Sequence, residues 1–299
     1  MPSKSRSSTA APVSVIAGVQ GALPSNRFSQ EEIAEAFLTL PAMSEHGDIV
    51  RHMHRAAKVD HRNLVLPLQR YSTLTDFGEA NDIFIENAVE LGCAALTAAL
   101  GAPDDVAVLL SVELCSLTFP AVQPTIAGFV GTALFGDGAA AVVAVGERRA
   151  QQMGCDGPAV VDTRSHLYPD SLRTMGWDVG ASGLKLVLSP DVPEVVSQYL
   201  PSDVANFLAP HGLTADEIRT WVSHPGGPKV IEAIVSSLGL PDDALELTWR
   251  SLADVGNLSS SSVLHVLRDT IAKSPAAGPG VLMAMGPGFC SELVLMHWN

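Results

Sequence analysis

Trp221-Val222-Ser223-His224-Pro225-Gly226-Gly227-Pro228-Lys229 sets a histidine at the end of a short apolar run and follows it with a proline and two glycines. Pro225 biases His224 away from the right-handed helical region, and Gly226 and Gly227 let backbone approach a ligand closely. A histidine presented this way can act as a base or as a hydrogen-bond donor. Taken alone, the motif reads more readily as a solvated strand end or a cap of the next helix. Gly256-Asn257-Leu258-Ser259-Ser260 follows, with Asn257 coming 33 residues after His224 and ahead of a Ser-rich helix start. Its ordinary reading is an N-cap; its chemical reading is an amide donor to a developing oxyanion. Such a His and Asn are two parts of a Cys-His-Asn acyl-transfer site. None of the four cysteines, Cys93, Cys115, Cys155 and Cys290, stands where that site needs its nucleophile.

Outward from these motifs, apolar runs alternate with helical spacings. Residues 13–19 read as a buried strand. Ser29-Gln30-Glu31-Glu32 opens a helix, with Ser29 as N-cap and Glu32 at the reciprocal capping position, that ends before Pro41. Phe84, Ala88, Leu91, Ala95, Leu96 and Leu100 recur at helical intervals. A turn follows at 101–105, then a continuous apolar strand at 106–112. Another strand at 139–145 is entered through a Gly136-Asp137-Gly138 turn. Beyond it, 159–162 and 183–188 read as strands, 195–208 and 215–219 as helices, and 220–223 as a short strand ending at His224. A helix at 229–238 is stopped by Gly239 and Pro241, and another spans 259–272. Strands at 281–285 and 291–298 flank the turn Gly286-Pro287-Gly288. This alternation predicts a layered α/β fold with a largely parallel sheet. Each half closes on a glycine-rich turn followed by an apolar strand, which hints at duplication.

The length of 299 residues allows one large α/β unit or two halves sharing a core. Only 17% of residues are charged and 47% are hydrophobic, which implies much buried surface and an extensive subunit interface. A net charge of −14 argues against nucleic acid, since no basic stripe would neutralise phosphates. The cysteines form no CxxC pair and no zinc pattern, so a reduced, cytoplasmic protein is expected. Residues 1–12 are rich in Ser, Ala and Pro and read as a disordered tail. With 13–19 behind them they mimic a signal peptide, but Gln20, Pro24 and the lack of a cleavage site argue otherwise. No apolar run is long enough to span a membrane. His46, His52, His54 and His61 match no metal-ligand spacing, and no metal is expected.

One ordered set carries more weight than any member of it: Ala133-Leu134-Phe135-Gly136-Asp137-Gly138-Ala139-Ala140-Ala141, the His224 motif, Gly256-Asn257, and Gly286-Pro287-Gly288. In that order the chain resembles the type III polyketide synthases, the chalcone-synthase-like branch of the thiolase superfamily, along nearly its whole length. Leu64-Val65-Leu66-Pro67-Leu68, Leu74-Thr75-Asp76-Phe77-Gly78-Glu79-Ala80-Asn81, Ser165-His166-Leu167-Tyr168-Pro169-Asp170-Ser171 and residues 245–252 are most similar to actinobacterial, mycobacterial-type alkylpyrone synthases. The resemblance implies a thiolase-like fold of two related βαβ halves, 13–148 and 149–299, and a homodimer. It implies condensation of a fatty acyl-CoA starter with malonyl- or methylmalonyl-CoA and cyclisation to an alkylpyrone, with CoA thioesters as substrates and no cofactor. His224 and Asn257 match the pair that holds the extender's thioester carbonyl and stabilises the enolate left by CO₂ loss. Phe135 matches a gatekeeper between CoA tunnel and cavity. Leu186 falls where plant members carry a second gatekeeper aromatic, which would widen the cavity for an aliphatic starter. Gly286, Pro287 and Gly288 match the loop that shapes the cyclisation pocket. Arg51, Arg55, Lys58 and Arg62 lie where the family contacts CoA phosphates, and read equally as a solvated helix face.

The resemblance breaks near 100–101. There the family carries two further core strands and the helix start that bears its nucleophilic cysteine, so the first half is incomplete. Cys93 lies 8 residues before Gly101. It sits mid-helix and about 12 Å from the family position, without a helix N-terminus to lower its pKa. Cys93 and Cys115 read as small buried core residues, Cys155 and Cys290 as packing or chance. The nucleophile is absent. Two other classes remain: a non-catalytic paralogue that binds acyl-CoA or pairs with an active subunit, and a ketoacyl-synthase-III-like enzyme performing one condensation.

Overall fold

The computed structural model describes residues 14–74, 76–99, 106–121, 124–180 and 183–299. The tail expected at 1–12 and the turn expected at 101–105 lie outside them. In chain order the elements are β1 (Ser14–Ala22), β2 (Asn26–Ser29), α1 (Gln30–Leu38), α2 (Pro41–Ser44), α3 (Gly47–Ala56), β3 (His61–Leu64), α4 (Leu68–Tyr71) and α5 (Phe77–Ala99). Next come β4 (Val106–Leu114), α6 (Ile126–Leu134), β5 (Asp137–Gly146), α7 (Glu147–Met153), β6 (Ala159–Leu167), β7 (Met175–Gly180) and β8 (Gly183–Leu188). The chain ends with α8 (Val192–Leu208), β9 (Thr220–Ser223), α9 (Pro228–Leu238), α10 (Glu246–Val255), α11 (Ser262–Ala272), β10 (Gly278–Gly286) and β11 (Cys290–Trp298).

The main sheet has seven strands in the order β4-β5-β1-β6-β11-β10-β9 among the described residues. The largely parallel sheet expected from the sequence is not what forms. Only β9 and β10 pair in parallel, and the remaining pairs are antiparallel. A helix between two strands enforces parallel pairing only when those strands become neighbours. That holds for β9 and β10, linked through α9, α10 and α11. By contrast β10 and β11 form a hairpin, and β5 inserts between β4 and β1. The order exposes the duplication: β4-β5-β1 and β10-β11-β6 are equivalent antiparallel triplets. They meet through the short β1–β6 ladder at Ser14↔Val160 and Val15↔Ala159. Beside β10 lies β9, whereas β4 has no outer neighbour among the described residues.

Local signals explain most elements. Ser29 caps α1 through the reciprocal bonds with Glu32 expected from the sequence. Three further expectations need correction. Asp137 and Gly138 do not form a turn but open β5, paired with Leu114 and Glu113. Gly138 marks a close approach within the strand, since a Cβ there would meet Leu258 Cδ1 at 2.9 Å. The helix expected at 215–219 is a single 3₁₀ turn at Ala215–Glu217, closed by a Thr214–Glu217 capping box. The helix expected from 259 begins with a 3₁₀ turn, and α11 proper starts at Ser262.

Helix α11 is buried nearly all round, with Ser262 to Leu267 inaccessible, and it lies across β1, β9 and β10. His265 donates from Nε2 to Ala139 O at 3.0 Å, and its ring lies so close to Gly21 that any Cβ there would overlap it. In the first half α5 covers β5, β1 and β4, but its burial is thin: Ala80, Leu91, Gly92 and Ala95 face inward, while Phe77, Phe84, Ile85 and Val89 are exposed. Along β4, the consecutive residues Val108, Leu109 and Leu110 are exposed, so both faces of this edge strand meet solvent.

An apolar edge strand with unpaired backbone groups is a template for association. Leu109 is 57% exposed, so Leu109→Lys removes apolar surface without emptying the core. The expected outcome is slower aggregation by light scattering, with unfolding free energy within about 0.5 kcal/mol of the parent. Unchanged aggregation would place the adhesive surface elsewhere.

Candidate active site

Strand β9 carries buried Trp221, Val222 and Ser223 beside β10, and the ladder continues one residue further as His224 N–H donates to Met283 O at 2.9 Å. Pro225 and the two glycines then turn the chain into α9, with Gly227 at φ 143°, where glycine is favoured. His224 keeps part of its surface open, but the protein packed around it pushes its pKa down to about 4 by burial. At neutral pH it is a neutral imidazole, able to donate from one nitrogen.

Asn257 is buried. Its N–H donates to Leu134 O at 2.8 Å, and its carbonyl accepts from Gly136 N–H at 2.9 Å, so it pairs with Phe135 as one rung of a parallel ladder. The side chain does two things. Oδ1 accepts from Ser259 N–H at 2.8 Å, which is the local cap read from the sequence, and Nδ2 points to Gly226 O at 3.4 Å. The amide donor therefore reaches the loop that holds His224. That contact is long and gives way easily to a better acceptor.

Phe135 caps the C-terminus of α6. A Cβ on Gly131 would meet Leu186 Cδ2 at 2.9 Å and the Phe135 ring at 3.8 Å, so Leu186 and Phe135 flank the same glycine. Gly286, Pro287 and Gly288 join β10 to β11 beyond the strand end that runs beside His224. Their turn is fastened at Phe289, whose N–H donates to Ser171 Oγ at 3.0 Å and whose carbonyl accepts from Tyr168 N–H at 2.9 Å. Contacts thus run from Leu186 through Gly131, Phe135 and Asn257 to the His224 loop, and along β10 to the glycine turn.

The cysteines do not join this set. Cys93 is exposed, contrary to the buried position expected of it. It stands about 200° around α5 from the inward Leu91. Cys115 is partly exposed, and burial, helped by Glu113 and Asp137, pushes its thiol well up, the reverse of an activated nucleophile. Burial also raises Cys290, whose Sγ points to Pro287 O. The basic stretch divides. Arg51 pairs with Glu35, and Lys58 pairs with Glu232 and lies over the Trp249 ring. Arg62 is wholly buried on β3 and is neither a solvated face nor a phosphate contact. Among the described residues no group of three or more His, Cys, Asp or Glu side chains is placed to hold a metal, and none of the helices is long and apolar enough to cross a membrane.

A buried polar cluster escaped the sequence. Asp137 accepts from Val65 N–H, Ser116 N–H and Ser116 Oγ, and Tyr71 OH meets Ser116 Oγ at 2.6 Å. The sequence signal was an acidic residue opening an otherwise apolar strand.

The model of chalcone and stilbene synthases, C-terminal domain, matches residues 160–298. The 1,3,6,8-tetrahydroxynaphthalene synthase of Streptomyces peucetius subsp. caesius is 42% identical over 352 aligned residues, which cover 95% of this chain and 93% of that protein. The 3,5-dihydroxyphenylacetyl-CoA synthase of Streptomyces toyocaensis is 36% identical over 66% of this chain and 51% of that protein. The crystal structure of PKS-I from the brown alga Ectocarpus siliculosus superposes with a TM-score of 0.88 at 19% identity, covering 98% of this chain and all of that one. The fold is the thiolase-like α/β fold. The chain belongs to the type III polyketide synthase family, the chalcone and stilbene synthase-like enzymes.

Three histidines packed inside the protein, His54 and His265 buried and His224 partly open, shape the acid response. Burial pushes His54 to about 3, and His224 and His265 to about 4, from an ordinary 6.5. The unfolded chain binds protons there first, so this stability is complete above 6.5 and is lost as pH falls towards 4. Asp137, raised to about 6 by burial, acts oppositely: its contribution is complete below its ordinary 3.8 and is lost as pH rises through 6. The histidines outnumber it. Unfolding free energy is expected to drop between pH 6.5 and 4 by a few kcal/mol in order of magnitude, at about 1.4 kcal/mol per pH unit per group. His54→Leu, which removes a ring without hydrogen-bond partners, should flatten that slope in chemical denaturation at several pH values. An unchanged slope would exclude His54 as a source.

Proposed function

We propose that this chain retains the decarboxylation half of a type III polyketide synthase and has lost the condensation half. The reading rests on one arrangement: the Asn257 amide reaches the His224 loop while its backbone pairs with Phe135. A malonyl thioester oxygen placed between the His224 ring and Asn257 Nδ2 would accept a hydrogen bond from each. Loss of CO₂ breaks the bond from the carboxylate to the α-carbon. Its electron pair becomes the enolate, and these donors stabilise the oxygen charge. Without an acceptor acyl group, a solvent proton quenches the enolate to acetyl-CoA.

Phe135 acts as gatekeeper, Leu186 opens room for an aliphatic chain, and the 286–288 turn bounds the cavity. The full reaction of this lineage is condensation of a fatty acyl-CoA with malonyl- or methylmalonyl-CoA to an alkylpyrone, in a cytoplasmic homodimer built from the halves 13–148 and 149–299. Here the nucleophile-bearing segment has been deleted near 100–101. Two observations support that. The alignment with the tetrahydroxynaphthalene synthase runs over 352 residues, more than the 299 of this chain, and among the described residues β4 lacks the neighbour that β10 has in β9. The names of the two relatives favour a second reading of the ancestral product, an aromatic ring system.

With malonyl-CoA, the chain is expected to release acetyl-CoA and CO₂, with no pyrone or aromatic product and no acyl adduct by intact mass. His224→Ala should lower that release at least about a hundredfold. An acyl adduct on Cys93 or Cys115 together with product formation would overturn the reading.

A further inference from the structure

We infer that Arg62 is a positioning residue for the Asn257 amide, an inference that rests on the decarboxylation site proposed above. Arg62 is fully buried on β3. Its Nη1 donates to Thr132 O and, at 2.9 Å, to Phe135 O, two carbonyls at the C-terminal end of α6. These carbonyls need an outside donor: in a continuing helix Thr132 O would receive the N–H of residue 136, but Gly136 N–H is given to Asn257 O. Arg62 supplies the replacement. Its stem runs under Gly256, where an added Cβ would meet Cγ at 3.1 Å and Cδ at 3.2 Å. One side chain therefore holds the Phe135 turn by hydrogen bonds and supports the Gly256–Asn257 turn by contact.

The same side chain is costly as a purely structural element. Nε and Nη2 are buried without partners, as are both ring nitrogens of His54 and Oε1 of Gln30. A buried charge with unused donors is worse for stability than an apolar side chain of similar volume. What Arg62 provides that an apolar residue would not is the double grip on Thr132 and Phe135, and through the rung at Asn257 a fixed direction for Nδ2.

The test compares Arg62→Gln and Arg62→Lys with the parent protein by amide hydrogen exchange and by malonyl-CoA decarboxylation. In Arg62→Gln, exchange at Gly136 and Asn257 should rise about tenfold, a hydrogen bond's worth, while amides in α11 stay unchanged. The decarboxylation kcat should fall about a hundredfold with KM within about twofold. Lys keeps the charge but lacks the planar fork, so Arg62→Lys should show the same two amides loosened to a smaller extent and an intermediate kcat. If Arg62→Gln does not fold, Arg62→Lys decides alone. Unchanged exchange at both amides, or a rise in KM with kcat intact, would overturn the inference. If the parent protein decarboxylates nothing, the reaction reading falls, and the exchange data still decide whether Arg62 holds the two turns.

Discussion

The candidate site depends on one close approach of two backbones. The turn after α6 and the turn before α11 come together so tightly that neither has room for a side chain at the crossing. A Cβ on Gly136 would meet Val255 O at 2.8 Å, and one on Gly256 would meet Leu134 O at 2.7 Å. Because both are glycine, Asn257 can exchange two backbone hydrogen bonds with Leu134 and Gly136. That rung ties the first half of the chain to the second and brings Phe135 and Asn257 together. The side chain of Asn257 then reaches the His224 loop. A methyl group at either glycine would push the turns apart and separate three site residues at once.

The tightness of this crossing contrasts with the thin cover over the sheet in the first half. In the second half α11 is buried from Ser262 to Leu267, and β9 lies beside β10. In the first half α5 covers the sheet with Leu91, Gly92 and Ala95 while presenting Phe84, Ile85 and Val89 to solvent, and β4 ends the sheet with apolar residues on both faces. The two halves share a repeated triplet of strands, so the difference lies in what covers that triplet in each half. Burial of apolar surface is worth roughly 25 cal/mol per Å², and exposed residues on α5 and β4 forgo it.

The sequence was most readable where backbone chemistry is local. Ser29 and Glu32, Gly239 after α9, and the Pro-Gly-Gly after His224 each act through their own neighbours, and they appear where expected. Pairing direction was not local: alternating strands and helices looked parallel, but which strands become neighbours is decided by distant contacts such as β5 entering between β4 and β1. The same holds for Arg62. By position it belongs to a basic run with Arg51, Arg55 and Lys58, and only the folded chain carries it inward to meet carbonyls 70 or more residues away. Cys93 failed for a subtler reason. Its helix exists, but a single exposed position on a mostly apolar helix cannot be told from a buried one when the helix is covered on one side only. His224 and Asn257 stood out because Gly226 and Gly227 follow the one and Gly256 precedes the other, and glycine is where close approach leaves a mark in the sequence, whereas Phe135 was marked only by the family resemblance.

A type III polyketide synthase must both hold an acyl group and make an enolate, and the two tasks ask for different environments. Enolate formation needs neutral donors fixed in a dry place; in the proposed reading His224 and Asn257 supply them, since burial keeps the imidazole uncharged and the backbone rung fixes the amide. Acyl transfer needs a thiolate, which requires a positive potential or a helix N-terminus nearby. Cys115 has the opposite surroundings, with burial and two carboxylates raising its thiol, and Cys93 sits in mid-helix facing solvent. Neither thiol can be recruited by a small shift, because each would need a new electrostatic environment as well as a new position. The donor pair, in contrast, depends only on the glycine crossing and on what braces it. In the reading proposed for this chain, the donor pair and the acyl carrier are separate parts of the site, and the pair needs the glycine crossing, with Leu134 and Gly136 from one turn and Asn257 from the other.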